Sequence, residues 1–308
     1  MSPQSQAPGW AWYFVAMYFF VGGTSAGAYF IGSLVELFGG GKHRDVSKIA
    51  FYIAFPLILI TPILLIADLG QPARFWHLFF TPGLFNAVGQ SGVTLYANWD
   101  SPLSIGSWAL LVFGAFSLLS FADNLVADKV ITFAPFSNLY NRVPRKVYAV
   151  LGSLAGFFVA GYTGVLLNLT ARPLWAATDP LLGALFIVSG GSSGAAAIAL
   201  VMAWRKMTSD DGFEQVESFD RISLVVELVL IVTAIVIAGQ FAAPLMSGTF
   251  ALLFWGGTVV LGILVPLALE WYGGRLGAAR VSLVMLAALL VLLGGALLRI
   301  SLVSAGQA

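Results

Sequence analysis

The densest set of reactive side chains in the sequence is the run Asp68-Leu69-Gly70-Gln71-Pro72-Ala73-Arg74-Phe75-Trp76-His77. Asp68 and Arg74 can pair across the turn that Gly70 and Pro72 impose, which leaves Trp76 and His77 at its far side. A neutral imidazole near a carboxylate is a suitable proton carrier around neutral pH. An aromatic, partly apolar niche with a few directed polar groups also suits a quinone head group. The same run reads equally as a salt-bridged helix cap beside a belt of interfacial aromatics, and the residues alone leave both readings open. A second set is Tyr162, Thr163, Asn168 and Thr170, followed by Arg172-Pro173. The Tyr162 phenol can donate and accept, and its plainer role is an interfacial anchor. Acids inside apolar runs make the third set: Glu227, with Glu36, Asp123 and Glu270 closer to run ends. Ionisable groups within a membrane span are costly and mark function by default, so these are candidates for proton transfer. The plainer reading is that those near an end reach headgroups or water.

Those residues need elements to hold them, and the composition says which. Of the 308 residues, 59% are hydrophobic and only 9% charged. Soluble domains carry roughly 25% charged residues, so a sequence like this has too few to clothe a water-facing surface. Apolar runs at about 10–37, 48–67, 103–122, 147–170, 180–204, 221–242, 249–271 and 281–303 are each long enough to cross ~30 Å of hydrocarbon as a helix. Backbone groups in lipid need internal partners, and barrel-type alternation is absent, so the expected fold is an all-α integral membrane protein with eight transmembrane helices. Residues 1–308 then form a single polytopic membrane domain, with helices 1–4 over about 10–170 and helices 5–8 over about 180–303.

Basic residues orient it. Loops after odd-numbered helices hold Lys42, Arg44, Lys48, Lys129, Arg142, Arg145, Lys146, Arg205, Lys206, Arg221, Arg275 and Arg280, whereas the other side holds only Arg74, Arg172 and Arg299. The positive-inside rule makes the odd loops cytoplasmic and puts both termini outside. The longest outward segment, 68–102, is rich in aromatics including Phe75, Trp76, Phe79, Phe80, Phe85 and Trp99, which suits interfacial anchoring or docking. The first nine residues carry no charge, and no signal peptide is expected there.

A duplication is also expected. Gly22-Gly23-Thr24-Ser25 in the first helix echoes Gly190-Gly191-Ser192-Ser193 in the fifth, and Gly106 to Gly114 in the third echoes Gly248 to Gly256 in the seventh. Similar motifs in the same helix order suggest two parallel four-helix repeats. Small residues also let transmembrane helices approach closely, whatever else they do. The inventory excludes several classes. With no cysteine there is no protein-ligated iron–sulfur cluster or disulfide. The two histidines, His43 and His77, lie far apart, so no bis-histidine haem is expected, and a net charge of +1 gives no footing for nucleic acid.

At this point DLGQPARFWH after the second helix, GGTSAGAY in the first, SPLSIGSW opening the third and YTGVLL in the fourth are similar to the NrfD, or polysulfide-reductase-C, family over essentially the whole sequence. The resemblance implies a quinone/quinol-reactive anchor subunit of a respiratory oxidoreductase in the bacterial inner membrane, without haem or cluster of its own. It further implies an extracytoplasmic four-cluster ferredoxin-like iron–sulfur subunit as partner, often joined to a molybdopterin catalytic subunit. Its substrate would be menaquinone or ubiquinone. Carried over by motif, Asp68, Arg74, Trp76 and His77 would lie by the outer quinone pocket and Tyr162 would bind the head group. The family's first helix sometimes supplies a histidine to this pocket. Here it has none, and Thr24 and Ser25 are the nearest substitutes. Glu227, with Glu36 and Asp123, would conduct protons. Two other classes stay open: a secondary transporter built on the repeat, and a structural anchor without quinone chemistry.

Overall fold

A computed structural model describes residues 12–39, 41–69, 71–80, 101–130, 142–208, 210–273 and 280–308. Phe85 and Trp99 of the aromatic segment, Arg275 and the first nine residues lie outside these. Among the described residues, eight helices are long and apolar enough to cross a membrane. They are α1 (Trp12–Phe38), α2 (Arg44–Asp68), α3 (Pro102–Ala127), α4 (Arg142–Asn168), α5 (Leu181–Trp204), α6 (Asp211–Ala238), α7 and α8 (Arg280–Ala305). Helix α7 is composite: Gly248–Ala251, a π-helical stretch Leu252–Leu264, and Val265–Gly273. Short 3-10 turns at Pro72–Leu78 and Gly239–Leu245 follow α2 and α6. No strand occurs among the described residues. Together with the all-helical expectation this makes the protein a multi-pass membrane protein.

Seven of the spans fall close to where the apolar runs put them. The sixth does not: α6 begins at Asp211, ten residues ahead of the expected start at 221. Asp210 caps it, its side chain accepting from the Gly212 N–H at 2.9 Å, and Asp211 and Glu214 sit in the first turn where the helix dipole favours acids. The charges of 210–221 therefore belong to helix rather than to loop.

Helices α1 and α5 cross at the middle of the bundle, with α2 and α4 packed on α1, and α6 and α8 packed on α5. Helix α3 leans on α2 and α4, and α7 on α8. Hydrophobic sorting cannot choose partners among apolar helices in lipid, so close packing of small residues must. A Cβ on Gly27 would come within 2.0 Å of the Gly190 carbonyl oxygen, and one on Gly194 within 2.3 Å of the Ala28 nitrogen. Gly262 and Gly294 make the same kind of backbone contact between α7 and α8.

The ends differ in chemistry. At one end Lys48 of α2 forms an ion pair with Asp128 after α3, and Arg145 of α4 bridges Asp123 at 2.7 Å and Glu36 at 3.5 Å. Arg280 reaches Glu217 at 3.3 Å in this same basic end. The opposite end is tied by neutral bonds, such as Trp175 Nε1 to the Leu302 carbonyl at 2.8 Å and Asn168 Nδ2 to the Trp175 carbonyl at 2.6 Å. Successive helices therefore run antiparallel, as single-pass loops require.

Candidate functional site

At the neutral end Tyr162 of α4 is held by α3. Its hydroxyl donates to the Pro102 carbonyl at 2.5 Å, an oxygen in the first turn of α3. Its ring lies on Gly106, where a Cβ would meet the ring at 2.3 Å. Phe158, one turn away on α4, stacks on it with centroids 5.9 Å apart. Pro102 and Gly106 belong to the SPLSIGSW stretch, so that motif is the seat for the tyrosine. The nearby phenol of α1 is Tyr18, which is 4% exposed and near enough to Tyr162 for the two hydroxyls to feel each other electrostatically. Sequence reasoning looked to Thr24 and Ser25 for a polar group on this helix and passed over Tyr18. Its only signal was a phenol among the aromatics that open the first apolar run, which suits a core residue just as well.

Thr24 and Ser25 do something else. Thr24 Oγ1 donates to the Phe20 carbonyl of its own helix at 2.9 Å, and Ser25 Oγ donates to the Ala54 carbonyl of α2 at 2.7 Å. Both hydroxyls are spent on the backbone, and Ser25 fastens α1 to α2.

The run after α2 winds into the 3-10 turn Pro72–Leu78. Arg74, Phe75, Trp76 and His77 are exposed on it, and the Trp76 and His77 rings meet edge to face at 3.8 Å. Asp68 is the last residue of α2, half-buried beneath this turn. No hydrogen bond joins His77 to Tyr162 among the described residues. Under the turn, between α2 and α3, lies an apolar cavity of 390 Å³. Phe75, Leu78 and Phe79 roof it, Pro62 and Leu65 of α2 form one wall, and Ser107 of α3 lies next to the Gly106 seat. Phe79 is propped by Trp108, ring centroids 5.5 Å apart.

A second polar centre lies within the other half. Arg299, expected from sequence among the outward basic residues, is instead 1% exposed inside α8. Six residues short of the helix end, its side chain turns into the bundle rather than outward. Gly23 and Gly295 leave the room: a Cβ on either would come within 3.4 Å of the guanidinium. The guanidinium donates to Ser189 Oγ at 2.5 Å and to the Gly295 and Phe186 carbonyls at 2.9 and 3.4 Å, and lies 5.1 Å from the Phe186 ring centre. Its counter-charge is Glu227, 3% exposed, which accepts from Ser192 at 3.3 Å. Since α6 starts early, Glu227 is sixteen residues into the helix, much deeper than the one and a half turns the apolar run suggested. Ser189 thus meets Arg299 and Ser192 meets Glu227, so the two opposite charges face each other across the serines of the fifth helix's glycine cluster rather than in direct contact.

Glu36 and Asp123 meet Arg145 at the basic end, so these two expected proton carriers form one cluster, apart from Glu227. Beyond the end of α3, the hydrogen bond from Lys48 holds the Asp128 carboxyl below the usual carboxylate range, with the Tyr52 hydroxyl adding a second bond at 2.8 Å. Among the described residues no three His, Cys, Asp or Glu side chains group as metal ligands.

The comparisons with known proteins agree with the motifs. The family model described as polysulphide reductase, NrfD, matches residues 3–308. An NrfD homolog of Haemophilus influenzae is 30% identical, with 97% of the present sequence and 95% of that protein covered. A polysulfide reductase chain of Wolinella succinogenes is 28% identical, covering 97% and 94%. A selenate reductase subunit of Mesobacillus selenatarsenatis is 22% identical over 87% of the present sequence and 68% of its own length.

Proposed function

The protein belongs to the polysulphide reductase NrfD family, and from that premise we propose that it is the quinone-reactive membrane anchor of a respiratory oxidoreductase. In this reading it passes electrons between a membrane quinol and an iron–sulfur subunit docked outside the membrane, itself joined to a molybdopterin catalytic subunit. Two relatives carry the names of reductase components, one of a polysulfide reductase and one of a selenate reductase, which supports a role inside such a complex. The basic end would face the cytoplasm of a bacterial inner membrane, with both termini outside, and the two halves of the bundle would descend from a parallel duplication.

The observation that carries the quinone reading is the apolar cavity of 390 Å³ between α2 and α3, whose Ser107 wall adjoins the Tyr162 seat. Ligand pockets are mostly apolar with few polar groups, and of about 300–1,000 Å³, so this one is of the size and character for part of an isoprenoid quinone. The tail would lie along Pro62, Leu65 and Leu110, and the head would reach Ser107, beside the Tyr162 seat. Tyr162, with Tyr18 behind it, would donate to a quinone oxygen. His77, oriented by Asp68 and Arg74, would exchange the proton with the outer aqueous phase. Exposed Phe75 and Trp76 beside it would meet the iron–sulfur partner, which keeps the electron path short. The protein has no redox cofactor of its own in this reading. On the other half, Glu227 would take part in proton transfer.

The test uses the intact complex. Tyr162→Phe and His77→Ala should each lower quinol-linked turnover by about 100-fold, the scale of a lost general acid or base, while assembly stays normal. Wild-type turnover in both variants would remove the site assignment. Substrate flux in liposomes holding this protein alone would instead favour a transporter.

A further inference from the structure

Helix α6 carries Glu217, Asp220, Ser223 and Glu227. At 3.6 residues per turn these offsets fall within one third of the helix circumference, so the four share a face. That face is inside: Asp220 is 3%, Ser223 8% and Glu227 3% exposed. Each acid on it needs a partner, since a buried charge is otherwise neutralised. Glu217 has Arg280 at 3.3 Å, and Glu227 has the positive charge of Arg299 across Ser189 and Ser192. Asp220 has neither. The charged groups facing it are Glu270 of α7 and, on its own helix, Glu227 and Glu217. The carboxyls of Asp220 and Glu270 are neighbours, and Asp220 Oδ1 and Glu270 Oε2 are both buried with no hydrogen-bond partner among the described residues. Glu270 also faces Glu217, and Arg221 supplies a positive charge beside it.

Two neighbouring buried carboxyls repel when both are ionised, and one shared proton removes that repulsion and satisfies an orphaned oxygen. With Arg280 matched to Glu217 and the charge of Arg221 beside Glu270, no further cation faces Asp220 among the described residues. The cluster at the same end of the other half is different. There Asp123 and Glu36 share Arg145, and Arg44 also faces Asp123, so two acids meet two cations and no proton is required.

We propose that Asp220 and Glu270 form a proton-loading site at the basic end, holding one proton between two carboxyl groups and passing it along the α6 face towards Glu227. Only a proton moves. Its release leaves two carboxylates beside Arg221 and Arg280, and its arrival neutralises Glu227, leaving Arg299 on Ser189 and two carbonyls. Glu36 and Asp123 then serve to lock the basic ends of α1, α3 and α4. The transfer to Glu227 rests on the quinone-coupled reading, whereas the shared proton does not.

Two measurements test this, one for each part. Infrared spectra of the full-length protein in lipid nanodiscs at neutral pH should show a protonated carboxylic-acid band that is lost in Asp220→Asn and, separately, in Glu270→Gln. Both substitutions keep shape, so a fold defect in one leaves the other to decide. A band that survives both variants, or that disappears when sodium replaces choline in the buffer, overturns the shared proton; the second result marks a sodium site. In vesicles containing the complete complex, Asp220→Asn should keep uncoupled quinol turnover within about twofold while proton uptake from the basic side slows by about 100-fold. Uptake at the wild-type rate, or a wild-type complex that moves no protons across the membrane, overturns the transfer step. A wild-type complex without quinol turnover removes the quinone reading and with it the transfer step, while the infrared result still decides the pair.

Discussion

Removing the counter-charge of Arg299 should be among the most damaging conservative changes in this protein. In Glu227→Gln the shape is kept and Ser192 still has an oxygen to donate to, but the guanidinium, 1% exposed, is left without an anion. Leaving a buried charge without its counter-charge costs about 3–5 kcal/mol. An arginine at the centre of a span costs about 3 kcal/mol on insertion scales, an upper figure for one six residues from its helix end. The bonds from Arg299 to Ser189 at 2.5 Å and to the Gly295 and Phe186 carbonyls at 2.9 and 3.4 Å survive the change. They bring the expected loss to the low end, about 3 kcal/mol. Arg299→Met loses those bonds as well and strands Glu227, so about 4 kcal/mol is expected. The double variant contains no unpaired charge. It should fall short of the summed loss by at least about 2 kcal/mol, the mark of two buried charges that compensate each other. Unfolding free energies in bicelles, measured by steric trapping for the wild type, both single variants and the double, check the whole cycle. A Glu227→Gln protein within about 0.5 kcal/mol of wild type, or a double loss equal to the sum, would refute the idea that these two charges hold each other.

Two further outcomes follow from the same geometry. Gly27→Ala should separate α1 from α5, because its methyl group would come within 2.0 Å of the Gly190 carbonyl, and a loss of about 3 kcal/mol or failed insertion is expected in the same unfolding assay. Gly114→Ala meets nothing within 4 Å and should be neutral or mildly stabilising, so equal losses at the two glycines would contradict the packing account. Asp128, its carboxyl held below the usual range by Lys48, contributes stability that is present above the unfolded-state value and is lost as the pH falls through the lower folded-state value. The window therefore lies below about pH 4, and because both side chains are partly exposed the contribution is at most about 1 kcal/mol. Asp128→Asn should flatten that acid limb and leave stability at about pH 9 less than about 1 kcal/mol below wild type.

The differences between sequence and structure trace to particular residues. The start of α6 was misplaced because Asp210, Asp211, Glu214, Glu217 and Asp220 read as a solvated loop when charge density alone is counted. Their spacing held the missing signal: Asp210 ahead of the first turn is a capping pattern, and Glu217, Asp220 and Glu227 recur on one helical face. Arg299 was placed outside because it lies near the end of the last apolar run. Nothing in its neighbours along the sequence says that Gly23, Ser189 and Phe186, far away, make a pocket for it. Tyr162 was singled out as a phenol inside a span, yet its support, the Pro102 carbonyl and the bare Gly106, comes from another helix.

By itself the sequence determined that this is a helical membrane protein, how many times it spans, which loops are basic, and which family it resembles. Those follow from quantities that add up residue by residue: apolar length against bilayer thickness, the count of lysines and arginines, and short motifs. Tertiary structure decided what each polar group faces. Helices in lipid are all apolar outside, so the partner of a buried charge is chosen by close contacts between small residues on distant segments, which no local pattern records. That is why Glu227 and Arg299 became a pair, why Thr24 and Ser25 turned to the backbone while Tyr18 came near Tyr162, and why Asp220 was left facing only other acids.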